Sequence, residues 1–102
     1  MITIVIRKEK DEIVAFSVTG HAEYADKGQD IVCSAVSALT INAVNSVERF
    51  TSDRISAAEA DGELHAEIQG TAGPETQLLL KSMVLGLKSI AEQYPQFVTI
   101  VD

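Results

Sequence analysis

Ile2, Ile4 and Ile6 alternate with Thr3, Val5 and Arg7 at the start of the chain, the period-two pattern of a half-buried strand. The polar run KEKDE predicts a turn, after which Val14, Phe16 and Val18 alternate with Ala15, Ser17 and Thr19 in a second strand that stops at Gly20. Residues 21–29 are polar, contain Gly28 and carry no period, so they read as a loop. From Asp30 the period changes. Val32, Val36, Leu39, Ala43, Val47 and Phe50 fall on one face of a helix that Asp30 would cap and that runs to about Phe50. The other side of that helix is small and uncharged as far as Glu48, which predicts cover on both sides, by its own sheet and by a second helix or subunit.

RISAAEADGELHAEIQ predicts a hairpin of two strands turned at Asp61-Gly62, with Leu64, Ala66 and Ile68 inward and Glu63, His65 and Glu67 outward, which leaves His65 solvated. Pro74 suits the first turn of a second helix through Tyr94, ended by Pro95. Leu79, Met83, Leu87 and Ile90 form its apolar stripe, widened by Leu80, Val84, Ala91 and Tyr94. QFVTIV supplies a last strand. The order ββαββαβ predicts an α+β fold, a mostly antiparallel sheet packed with two helices, in a single domain over residues 1–102.

Composition narrows the possibilities without choosing among them. The net charge of −7, with no cluster of Lys and Arg, argues against nucleic-acid binding and favours a basic partner. One cysteine excludes an internal disulfide and suits a reducing compartment. The first residues reach charge at Arg7 without a small-residue cleavage site, so no signal peptide is expected. Residues 31–47 lack charge but carry Ser34, Ser37, Thr40, Asn42, Asn45 and Ser46, a poor composition for crossing a bilayer. The expected location is the cytoplasm, with no membrane partner.

The chemistry worth weighing lies in GHAEYADKGQDIVCSAVSAL. A cysteine attacks as its thiolate, and the unpaired N–H groups of a helix N-terminus favour that anion. With Asp30 as cap, Cys33 falls in the first turn, where its own N–H and those of Ile31 and Val32 could also form an oxyanion hole. His21 ends a strand, and the loop after it leads back to the helix start, so imidazole and thiol can meet at one edge of the fold. Asp30 has two competing roles. It either caps the helix, where it would repel a thiolate, or orients His21 in a Cys-His-Asp arrangement. Ser37 lies one turn beyond Cys33 on the same helical face, as a hydrogen-bond donor or as a small packing residue. Gly28 would supply a positive φ or clearance in the loop, and Gly20 would let the backbone turn beside His21 or let a substrate strand approach. Two histidines and one cysteine without ligand spacing make no metal set.

Gly20-His21-Ala22, Gly28, Asp30-Ile31-Val32-Cys33 and Ala35-Val36-Ser37 resemble the signature of the ribosomal-processing cysteine proteases, in residues and in the gap from His to Cys. The likeness extends less specifically to the Asp61-Gly62 hairpin and LKSIAEQYPQFV. Ser34 stands where alanine is usual. The resemblance implies a cofactor-free and metal-free homodimeric endopeptidase that removes a short N-terminal extension from a large-subunit ribosomal protein, cutting between Phe and Ala. It implies His21 and Cys33 as the catalytic pair, Asp30 and Ser37 as important positions, and a mobile loop over residues 22–29. Tyr24, Leu39 and Phe50 are candidate walls for the Phe pocket.

Two other classes fit the same residues. One is a non-catalytic homodimeric binding module for a basic ribosomal protein or assembly factor, with Cys33 structural. The other is a cysteine enzyme acting on a small molecule.

Overall fold

The protein was analysed as a computed structural model that describes residues 1–20, 27–60 and 62–102, with the backbone alone for residues 27–30. Its elements are β1 (Ile2–Glu9), β2 (Glu12–Thr19), α1 (Lys27–Phe50), β3 (Arg54–Ala60), β4 (Glu63–Gln69), α2 (Pro74–Gln93) and β5 (Val98–Val101). The sheet order is β3-β4-β2-β1-β5, with β5 parallel to β1 and every other pair antiparallel. The expected ββαββαβ order and mostly antiparallel sheet are what the chain forms.

Alternation sets which face is covered. Ile2, Ile4, Ile6, Leu64, Ala66 and Ile68 are buried beneath the helices, while Val5, Arg7, His65 and Glu67 are exposed on the opposite face. From α1 the core receives Val32, Val36, Ala43 and Val47, and from α2 Leu80, Met83, Val84 and Leu87. The helices approach closely at Gly86, where a Cβ would come 2.8 Å from Leu39 Cδ1. By length and composition Ile31–Phe50 is apolar enough to cross a bilayer, contrary to the sequence expectation, yet here Val32, Val36, Ala43, Val44 and Val47 are buried in the core.

β2 departs from its expected pattern. Lys10 and Asp11, with φ of 50° and 66°, turn the chain from β1 to β2, and both angles match the twist of a two-residue hairpin loop. Arg7 then faces Ala15 while Lys8 faces Ile13, leaving Val14 unpaired in a β-bulge. The extra residue changes the phase. Ile13 and Phe16 are both buried and Val14 is only half-buried, so Val14 is not the inward residue that simple alternation predicts.

Gln77 of α2 completes this bulge. Its Oε1 accepts the Ile13 N–H and its Nε2 donates to the Ile13 carbonyl, both at 2.8 Å, beyond the Ala15–Thr19 stretch that pairs with β4. The start of α2 is held nearby. Gly73, the N-cap, has no side chain to close the helix end, and Asp53 does so from the loop between α1 and β3. Its Oδ2 accepts the Gly73 N–H at 2.8 Å and the Thr76 hydroxyl at 2.6 Å. The Thr76 bond first, and the Gly73 bond second, hold the Asp53 carboxyl below its ordinary value.

Candidate active site

α1 and α2 run in opposite directions over the sheet, so the start of α1 lies at the sheet end remote from Gln77. A cleft of about 330 Å³ opens there between the first half of α1 and the ends of four strands. Ile2, Val18 and Leu64 form its apolar floor, and Gly20, Glu59, Ala60, Gly62 and Glu63 line its rim. The helix supplies Cys33, Val36, Ser37, Thr40 and Ile41. Helical spacing explains this set. Cys33, Ser37 and Ile41 form one row along α1, with Val36 and Thr40 in the adjoining row toward the core.

Cys33 is half-buried and packs against the hydrophobic core, with its row open to the cleft. Ser37 is exposed one turn along. Thr40 is buried and donates its hydroxyl to the Val36 carbonyl at 2.9 Å, which satisfies its proton inside the helix. Gly20 holds a φ of +87°, and a Cβ there would collide with the backbone carbonyl of Met1. No other residue fits that position without moving β1 or β2.

Other expected site residues fall differently. Ser34 is exposed and does not line the cleft. α1 begins at Lys27, so Gly28 lies in its first turn rather than in a loop, and Asp30 is the fourth helical residue rather than the N-cap. His21 and Tyr24, the remainder of the expected loop up to residue 26, and the Asp30 side chain lie outside the described residues. The earlier helix start also removes the proposed oxyanion hole. Ile31, Val32 and Cys33 are the fifth to seventh residues of α1, past the four whose N–H groups lack partners within the helix.

The expected pocket walls need correction too. Leu39 meets Gly86 of α2, on another side of the helix from the cleft. Phe50 is 74% exposed at the far end of α1, about 25 Å from Cys33 at 1.5 Å per residue. The apolar lining comes instead from Ile2, Val18, Val36, Ile41 and Leu64. Sequence patterning placed most of these in the core, but which of them border a gap depends on where α1 crosses the strand ends.

Comparison with known proteins agrees with this architecture over nearly the whole chain. The profile of the family described as cysteine protease Prp matches residues 1–99. The chain belongs to that family. The ribosomal processing cysteine protease Prp of Bacillus subtilis (strain 168) is 35% identical over 101 residues, covering 92% of this chain and 90% of that protein. Its namesake in Staphylococcus aureus (strain Mu50) is 33% identical over 97 residues, covering 92% of each. The crystal structure of S. aureus Prp in complex with a substrate peptide superposes with a TM-score of 0.90 at 30% identity, covering 98% of this chain and 97% of that one. The same enzyme with a covalently linked product peptide gives 0.88 at 31% identity, covering 99% and 98%. The family assignment makes this chain a cysteine protease.

Proposed function

We propose that this protease removes the N-terminal extension of a large-subunit ribosomal protein by cutting between Phe and Ala, with Cys33 as nucleophile and His21 as its base and acid. The observation that carries the reading is the position of the chain's one cysteine, half-buried in the wall of an open cleft. His21 takes the thiol proton, and the thiolate attacks the carbonyl of the residue before the cut. The tetrahedral intermediate then expels the amine, which leaves with the proton from His21⁺. Water hydrolyses the resulting thioester and restores the thiol.

Ser37, one turn along the same row, is the donor we assign to the developing oxyanion in place of the first-turn N–H groups. The apolar floor of Ile2, Val18 and Leu64 suits the Phe side chain, and a net charge of −7 suits a basic ribosomal protein. Asp30 orients His21 in this scheme, since it does not cap α1. The enzyme acts in the cytoplasm as a homodimer that covers the exposed Ile31 of α1, and needs no metal or cofactor.

The test is mass-spectrometric. A peptide carrying such an extension across a Phe-Ala junction is incubated with the protein and with its Cys33→Ala and His21→Ala variants. A single cut after Phe, lost in both variants, supports the proposal; cutting that survives Cys33→Ala refutes it.

A further inference from the structure

Glu59 breaks the inward pattern of its strand at the cleft. Opposite residues of an antiparallel pair point to the same face. In β3, Ile55 opposes Ile68, Ala57 opposes Ala66 and Glu59 opposes Leu64, and all three partners are buried beneath the helices. Glu59 therefore lies on the helix-covered face, at the position where the pattern calls for an apolar residue. It is exposed there, and it lines the cleft with Cys33 and Ser37.

The charge of the cleft has one sign. Among the described residues Glu59 and Glu63 are its charged lining residues, and none of the described lining residues is basic. They are not equivalent. Glu63 lies on the open face of the sheet with His65, whose Nε2 is 3.5 Å from its carboxylate. Glu59 has no ion pair or side-chain hydrogen bond among the described residues.

We infer that Glu59 is a specificity-determining residue, which selects peptides carrying a lysine or arginine that reaches the cleft beside the scissile bond. The inference rests on the protease reading and adds a charge requirement to its apolar pocket. An inward charge on an edge strand also discourages strand-to-strand aggregation. That role would change solubility and leave the choice among peptides untouched.

The experiment uses Phe-Ala peptides in which one lysine is walked through each flanking position, each paired with a glutamine counterpart. kcat/KM is measured for the wild-type protein, Glu59→Gln and Glu59→Lys, and binding to Cys33→Ala and to Cys33→Ala/Glu59→Gln is followed by fluorescence anisotropy. At one position the wild-type protein prefers lysine by about threefold to fivefold, as for a solvent-exposed ion pair. The preference disappears in Glu59→Gln, reverses toward glutamate in Glu59→Lys, and weakens with added salt. A lysine preference absent at all positions, or unchanged in Glu59→Gln, overturns the inference while leaving Cys33-dependent cutting intact. If no form cuts, the protease reading fails, and binding decides: a lysine preference lost with Glu59→Gln supports the inference, and equal affinities overturn it.

Discussion

At the end of the sheet where α2 begins, Gln77 matches both polar backbone atoms of Ile13, and Asp53 accepts bonds from Gly73 and Thr76. At the end where α1 begins, Cys33, Ser37 and Glu59 line a cleft and have no side-chain hydrogen bond among the described residues. Each end is a meeting of strand termini with a helix start. The difference is that the first is closed by its own side chains, while the second leaves its polar groups facing space that a peptide can fill. Stability and chemistry are thereby assigned to opposite ends, and substitutions should separate along the same line.

The largest effect belongs to the cleft. Cys33→Ala should lower peptide hydrolysis by roughly 10⁴-fold or more while leaving the denaturation midpoint nearly unchanged, because losing one nucleophile disables the whole covalent route. Peptide cleavage beside a urea titration checks both halves. A large loss of stability would mean that Cys33 serves the core.

Gln77→Leu should do the reverse. It strands the N–H and carbonyl of Ile13, and at about 1–3 kcal/mol for each buried orphan the loss is roughly 2–6 kcal/mol. Folded enzyme in the cold should still cut its peptide at close to the wild-type rate. A stable Gln77→Leu protein would show that the bulge does not depend on α2.

Gly20→Ala should lower both stability and activity, since it strains the backbone where the cleft begins. Strain of about 1–3 kcal/mol is expected from the positive φ alone, before the collision with Met1 is relieved. Thermal melting measures it, and activity should fall further than Ser34→Ala, which touches no cleft wall.

Asp53 gives the smallest effect, and one with a definite pH sign. Its folded carboxyl titrates below the ordinary value of 3.8, so the ionised form is favoured in the folded state. The stabilisation is complete well above that value and disappears as pH falls through the lower folded one. Wild-type and Asp53→Asn proteins should differ in urea midpoint at pH 6, and the gap should narrow as pH falls below 3.8. A constant gap would remove the carboxylate from the account.

Much of this could be read along the chain because it is local. The alternation of Ile2, Ile4 and Ile6 marks β1, and Pro74 and Pro95 bracket α2. Val14 misled because a bulge inverts the phase, and the amide that pairs with Ile13 beside it comes from a helix more than sixty residues away. The start of α1 misled because Asp30 is a good acidic cap candidate, and Gly28 just before it argues for a loop. Ser37 was legible from its spacing to Cys33. Glu59 was not, since RISAAEA carries so few large apolar residues that its inward set emerges only from pairing with β4.

The central claim is that Cys33 forms a bond to the peptide within the cleft. The direct measurement is an acid quench of enzyme and Phe-Ala peptide during turnover, followed by intact-protein mass spectrometry with fragmentation. The expected result is a transient thioester that adds the mass of the peptide segment ending at Phe and maps to Cys33. Continued cutting with no acyl-enzyme at any quench time, even with a slowly deacylating ester substrate, would contradict it.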